Sequence, residues 1–391
     1  MLNQEVYDKV AAEFAAKFGA APAVVAYAPG RIEVLGNHTD YNEGYVFSAA
    51  IDKGTFFAAS PADDDRVTLV ALDMGETYET TLGAVAKVES GATWANYPLG
   101  TFNWLMGGEP AKAGRGFKAV FGGNIPLGAG LSSSAALEMA TALALQKLYG
   151  TSFGKTELAK IGQKAEHTFA GCPCGLLDQA SSMYGQAGAL VKSDFRSNEF
   201  ESVRMGDGVA FMMVKSNAKH ALVDGAYASR RKACEDAAKH FAGVLRKPVT
   251  HLRDVTMAEW VLYRDGLDET TARRAVHPIG EDERVLQGAA LLEKGDLKGF
   301  GALMFDSHES SRRWFENSCE ELDAIVDAAK EIPEVYGARL SGGGFGGSCC
   351  LLVDPGAADA IAARISAAYK AKFGDEPTCS LIKPSEGARL V

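Results

Sequence analysis

Several things are scarce or missing in this 391-residue chain, and each absence narrows the field. Positive charge is in deficit: 40 Lys and Arg face 50 Asp and Glu, a net charge of −10. A nucleic acid or an anionic membrane needs a basic surface, so neither is expected as a partner. Cysteines number seven and are scattered, which does not suggest a disulfide framework. The close pairs Cys172-Pro-Cys174 and Cys349-Cys350 lack the spacing of a zinc site, and small reduced residues near the core is their ordinary reading. The N-terminus shows no basic start, apolar middle and cleavage site, so no signal peptide is expected. No apolar run reaches the ~18 residues of a membrane span. The richest stretch, Ala135 to Leu145, is short and carries Glu138. A cytoplasmic location is the expectation that follows.

What remains is an ordinary globular composition, 47% hydrophobic and 23% charged. The length suits two domains sharing a cleft. Val6, Val10, Phe14 and Phe18 recur four apart and predict an opening amphipathic helix. Val24–Ala28 and Arg31–Leu35 read as short strands split by Pro29-Gly30, with further strands at 67–72, 117–122, 189–192 and 209–214. Helices are expected at 135–149 and 155–169. Residues 225–330 are mostly helical in pattern, including 227–241, 279–293, 299–314 and 320–331. Strands return at 336–340 and 348–353, followed by a helix at 357–373 and a strand at 379–382. Irregular mixing of the two types predicts an α+β fold rather than a doubly wound sheet. The boundary is placed near Gly206-Asp-Gly208, giving domains 1–206 and 207–391.

One loop carries phosphate chemistry. Pro126-Leu-Gly-Ala-Gly-Leu-Ser-Ser-Ser134 joins a strand to a helix. Glycines let backbone N–H groups approach phosphate oxygens, the helix adds its positive end, and hydroxyls can bind phosphate or a magnesium shell. A Ser/Gly-rich turn that merely caps a helix has the same composition. Two other motifs fail. Gly154-Lys155-Thr156 lacks the leading glycine of a P-loop, since position 149 is Tyr149. The run Gly342-Gly-Gly-Phe-Gly-Gly347 is followed by a strand pattern, not a helix, and reads as a backbone wall against a ligand.

The segment Pro29-Gly-Arg-Ile-Glu-Val-Leu-Gly-Asn-His-Thr-Asp-Tyr41, the loop at 126–134 and the run at 342–347 resemble, in order and spacing, the three motifs of the GHMP kinases (galactokinase, homoserine kinase, mevalonate kinase, phosphomevalonate kinase). The first is similar to the galactokinase signature in particular. Trp94-Ala-Asn-Tyr97, Ala165-Glu-His-Thr-Phe-Ala-Gly171, Pro173-Cys-Gly-Leu-Leu-Asp-Gln179 and Ser216-Asn-Ala-Lys-His220 extend the resemblance over nearly the whole chain.

The resemblance implies a two-domain GHMP-kinase fold of mixed sheets and packed helices, with the site in the interdomain cleft. It implies an ATP- and Mg²⁺-dependent sugar 1-kinase whose partners are a small sugar and ATP. Oligomeric state stays open, a monomer included. Asp178 corresponds to the catalytic aspartate beside the anomeric hydroxyl, as base or orienting group, and Arg31 to the arginine that lies near it and the transferring phosphate. Taken alone, Asp178 reads as a helix or turn cap. Ser134 and Glu166 correspond to Mg²⁺ ligands. Trp94 corresponds to an aromatic packed on adenine, although a structural tryptophan is its plain alternative. Pro126, Gly128, Gly130, Leu131, Ser132, Ser133 and Ser134 correspond to the nucleotide loop. Asn37, His38, Asp40, Gly175 and Tyr227 correspond to sugar contacts.

The chain departs from that pattern at one pair. Galactokinases usually carry Asn where Glu33 stands and Glu where Asn37 stands, the latter facing the sugar 6-hydroxyl. Three readings compete: the pair has exchanged roles and galactose stays the substrate; lost charge admits galacturonate; or several related sugars, such as N-acetylgalactosamine or arabinose, are accepted. A non-catalytic sugar- and ATP-binding sensor is the alternative of another class, but Ser132-Ser-Ser-Ala-Ala136 is complete here, which favours an enzyme. Mevalonate or homoserine as acceptor is disfavoured by His38-Thr-Asp40-Tyr41.

Overall fold

The computed structural model describes residues 3–126, 128, 130–218 and 223–391; Leu127 and Ala129 of the expected phosphate loop and Lys219 and His220 of the 216–220 block lie outside them. The chain opens with the helix Gln4–Phe18. Asn3 caps it by accepting from the Val6 N–H, Gly19 ends it in the left-handed region, and Val10 and Phe14 are its buried face. The first sheet has eight strands. Its centre is the antiparallel pair Val24–Leu35 and Tyr45–Pro61. Phe117–Gly123, Arg66–Ala71 and Glu76–Thr81 extend it on one side, with the first two of these running parallel. Ala189–Asp194 pairs with the beginning of Tyr45–Pro61, and Glu199–Arg204 pairs in turn with Ala189–Asp194. The last strand, Arg389–Leu390, returns from the far end of the chain to Val24–Leu35.

Pro29-Gly30 does not split two strands. Val24–Leu35 is continuous, with register shifts between Pro29 and Arg31 and between Glu33 and Leu35. A proline without an N–H and a glycine without a Cβ are what a bulge tolerates, and a bulge re-aims the side chains after it. Arg31 and Glu33 sit on this stretch.

The second sheet is antiparallel, in the order Thr378–Ile382, Ala210–Lys215, Ser348–Val353, Val335–Ser341. Glu320–Lys330 and Ala358–Phe373 cover it through Leu322, Ile325, Ile361 and Ile365. On the first sheet, Asn96–Leu105, Ser133–Tyr149 and Lys155–Ala165 build a core with Phe57, Phe102 and Phe117. Another apolar cluster joins the two sheets, with Ile32 and Phe47 from the first and Phe211 and Leu352 from the second. Each such side chain contributes about 1.5–3 kcal/mol on full burial, which fixes the cleft walls relative to each other. All seven cysteines are free. Among the described residues no helix is long and apolar enough to cross a membrane.

Candidate active site

A cavity of about 620 Å³ opens between the two sheets. Arg31, Glu33, Asn37, His38 and Asp40 line it from the first bulged strand and the loop after it. Cys172 to Gly175 and Asp178 come from the segment entering the helix Leu177–Tyr184, and Tyr227, Gly342 and Gly343 come from the second half of the chain.

At its floor, Asp178 is held at both oxygens. Arg31 Nε and Nη2 each lie 2.7 Å from Oδ1, and Ser132 Oγ donates to Oδ2. Arg31 also donates from Nη1 to the Gly130 carbonyl at 2.7 Å, and its N–H bonds the Leu131 carbonyl at 3.0 Å. The aspartate, the arginine and the glycine loop are therefore one hydrogen-bonded unit. In that loop Gly128, Gly130 and Ser132 all have positive φ, of 66°, 71° and 55°. These positions lead into the start of the helix Ser133–Tyr149, the kind of terminus where anions bind. Lys215, from the second sheet, brings its ammonium to 3.9 Å of where a side chain on Gly128 would begin.

Beside the loop, Ser134 Oγ donates to Glu166 Oε1 at 3.1 Å. Glu166 ends the helix Lys155–Ala165 and opens a π turn to Ala170, which swings its carboxylate back over the loop. Burial pushes its carboxyl above the usual range, and the Asp178 charge adds to this. Among the described residues no three His, Cys, Asp or Glu side chains form a metal cluster. A serine and one carboxylate suit an ion that keeps waters and takes phosphate oxygens, which is Mg²⁺ behaviour.

The opposite wall is where the expected sugar contacts gather. Gly175 leaves room there for Asp40, since a Cβ would meet Asp40 Oδ2 at 1.8 Å and displace the carboxylate. Burial raises the Asp40 carboxyl to about 6, with Glu33 pushing the same way. His38 is held to about 4, chiefly by burial, and is neutral near pH 7. Its Nε2 faces the Gly343 carbonyl at 3.2 Å and so carries the proton, leaving Nδ1 to accept from Tyr41 Oη at 2.8 Å. Both ring nitrogens are occupied within the protein, so the imidazole shapes the wall with Phe315 and Tyr227 packed on it.

Glu33 and Asn37 touch. Asn37 Nδ2 donates to Glu33 Oε1 and to the Gly342 carbonyl, each at 2.8 Å, and its Oδ1 accepts from Asn317 Nδ2 at 3.0 Å. Both amide protons are thus committed. Arg339, with no exposed surface, reaches the same Glu33 Oε1 at 3.0 Å, and no hydrogen bond to Oε2 occurs among the described residues. Burial raises the Glu33 carboxyl while Arg339 and Asn37 pull it back. The loop itself is pinned from behind by fully buried Glu281, whose Oε2 accepts the Gly36 and Asn37 N–H groups at 2.8 Å and whose Oε1 takes Arg284 Nε at 2.6 Å. Burial opposes its ionisation, yet Arg284 holds it well below the usual carboxylate range. Glu281, Asn317 and Arg339 were not among the expected residues. Trp94 stands apart from the cavity: it is 9% exposed, donates to Glu76 Oε2 at 2.6 Å and meets Phe121 edge-on.

Family models match along the chain: the galactokinase galactose-binding signature at 12–61, the GHMP kinase N-terminal domain at 96–186 and the GHMP kinase C-terminal domain at 289–371. Human galactokinase is 39% identical over 385 residues, 97% of this chain and 95% of that protein. The chain belongs to the galactokinase family. The crystal structure of Lactococcus lactis galactokinase complexed with galactose superposes with a TM-score of 0.88 at 30% identity, covering 97% of this chain and 98% of that one. A mevalonate kinase structure, at 17% identity over 93% of this chain and all of that one, shares the fold with a TM-score of 0.65. The architecture is therefore the two-domain GHMP kinase fold, and the α+β expectation holds.

Proposed function

We propose that this protein is an ATP-dependent galactose 1-kinase, converting D-galactose and ATP to galactose 1-phosphate and ADP. The observation that carries it is Asp178, fixed by Arg31 and Ser132 where the sugar-sized cavity meets the glycine loop. Asp178 would accept from the anomeric hydroxyl and aim it at the γ-phosphorus. Arg31 would offset charge developing on the transferring group, and the loop N–H groups would hold the phosphates. Ser134 and Glu166 are the residues that would hold Mg²⁺, which when bound neutralises phosphate charge. The complete set of Arg31, Ser134, Glu166 and Asp178 supports catalysis over mere sensing. Trp94 is the candidate for adenine packing. The division 1–206 and 207–391 is supported by the change of sheet between Arg204 and Ala210. A cytoplasmic enzyme with sugar and ATP as its partners fits this reading.

Among the competing sugars, galactose is favoured by the exchanged pair. The carboxylate absent at position 37 is present at 33, on the same wall. A uronic acid would meet Glu33 and Asp40 and find no free donor on Asn37. The test is ADP release by the pure protein with galactose, N-acetylgalactosamine, galacturonate, arabinose and glucose. Galactose should be the strongest substrate, and turnover of galacturonate above galactose would overturn the assignment.

Two further results are expected. Asn37→Glu alone places a second carboxylate against Glu33 and should raise the sugar KM about tenfold or more, equivalent to about 1.4 kcal/mol, whereas Glu33→Asn/Asn37→Glu together should recover most of it. Equal losses in the single and double variants would show that the two positions do not act as a pair. For Asp40, raised to about 6, the ionised form is the better acceptor for sugar hydroxyls and predominates only above that pH. The sugar KM should therefore climb as pH falls through about 6, and a KM flat down to about pH 5 would remove this group from sugar binding.

A further inference from the structure

Behind Glu166 lies a second acid that phosphoryl transfer does not directly use. Glu138 sits on the otherwise apolar face of Ser133–Tyr149 and has no exposed surface. Burial pushes its carboxyl well above the usual range, and the Glu166 and Asp178 charges push the same way. A leucine would suit this position better if packing were its only task.

Its contacts run in one direction. Gln179 Nε2 donates to Glu138 Oε2 at 2.9 Å and to Glu166 Oε2 at 2.8 Å. The two amide protons serve one carboxyl group each, which fixes the amide's orientation, because its carbonyl would face two acceptors if turned. The remaining oxygens, Glu138 Oε1 and Gln179 Oε1, are buried without partners among the described residues, an arrangement that is destabilising in itself. Gly162 clears the space, since a Cβ there would meet Met139 Cε at 2.5 Å and Glu138 Oε2 at 3.1 Å. The effect falls on Glu166. Its Oε2 is held by Gln179 and by Cys174 Sγ at 3.2 Å, and its Oε1 is left to Ser134.

We propose that Glu138 and Gln179 are positioning residues: a buried brace that locks the rotamer of Glu166 so that Oε1 faces the cation at Ser134. The proposal rests on the reading of Ser134 and Glu166 as the metal-holding pair. Outer partners of a metal-bound carboxylate commonly govern affinity for the ion.

The test uses the full-length protein and Mn²⁺ as a paramagnetic probe, titrated in the presence of ATP and followed by electron paramagnetic resonance, beside steady-state kinetics. Glu138→Leu and Gln179→Met should weaken Mn²⁺ binding about tenfold or more and raise the Mg²⁺ needed for half-maximal rate, with the sugar KM changed less than about threefold. Glu138→Gln keeps an acceptor for Gln179 without charge and should bind Mn²⁺ within about threefold of the unaltered protein. Unchanged Mn²⁺ binding in Gln179→Met, or a loss in Glu138→Gln as large as in Gln179→Met, would overturn the brace. Circular dichroism identifies a variant that fails to fold; if Glu138→Leu does so, the Gln179→Met and Glu138→Gln pair still decides. The functional reading fails separately, if the unaltered protein releases no ADP with any sugar.

Discussion

Asp178→Asn is expected to lower kcat by about 10²–10⁴ while the sugar KM moves only a few-fold. The substitution keeps the shape of the side chain, so the helix Leu177–Tyr184 and the packing around it should survive. Its effect is on charge and proton acceptance. In the unaltered site Oδ1 takes two guanidinium donors from Arg31, while Oδ2 takes the Ser132 hydroxyl. An asparagine can present one oxygen to Arg31, but its NH₂ then faces Ser132 and the incoming sugar hydroxyl as a donor, where an acceptor is needed. Arg31 also loses its counter-charge, yet remains tied to the Gly130 carbonyl, so the phosphate side of the site should hold together. Binding of ATP, measured by calorimetry, should change little. Steady-state kinetics decide the matter: turnover within about threefold of the unaltered protein would remove Asp178 from the chemistry, whether as base or as orienting group.

The candidate site was legible in the sequence because its pieces carry backbone signatures. Arg31 follows Pro29-Gly30, Ser134 ends a Ser/Gly loop, and Glu166 and Asp178 sit in blocks shared with the family. Folding brings all four together. The supports behind them were not legible, because nothing local marks them. Glu281 lies 244 residues from Asn37 and Arg339 lies 306 from Glu33, each on an ordinary helix or strand, and only tertiary packing reveals their partners. The fold shows the same division. The opening helix follows from periodicity and capping, and the helix after the loop from an apolar run too long for a strand. Tyr45–Pro61, at the centre of the first sheet, is buried along most of its length and so shows no two-residue alternation. The helix expected to start at Ile279 begins ten residues earlier, at Glu269: Pro278 reads as a boundary, yet the Asp268 cap and the buried face around Ala275 carry the helix through it. Glu138 stood out as the single charge in an apolar run, a signal without a partner until Gln179 was placed beside it.

Arg339→Met should destabilise the protein by about 3–5 kcal/mol near neutral pH, a large part of the 5–15 kcal/mol typical of a folded domain. Arg339 has no exposed surface, and its Nη1 lies 3.0 Å from Glu33 Oε1. Methionine fills much of the same space, so the loss is mainly electrostatic: a buried carboxylate remains with only the Asn37 amide to hold it. The pH dependence identifies the cause. Burial already raises Glu33 above its ordinary value, and Arg339 is the leading influence that lowers it again. Removing the arginine raises the folded-state value further, while the unfolded value stays near that of a free glutamate. A carboxyl raised on folding stabilises the native state below its unfolded pKa, and that stabilisation is lost as pH rises through the folded pKa. The variant's deficit should accordingly be small near pH 5 and grow toward pH 8, which urea unfolding at the two pH values would measure. The variant's sugar KM should be worst near pH 5 and recover toward pH 8 if ionised Glu33 is the carboxylate that meets the substrate. A deficit equal at both pH values would mean that lost packing, not the ion pair, is what Arg339 supplies, and Glu33 would then have to be ruled out as an ionised acceptor in the cavity.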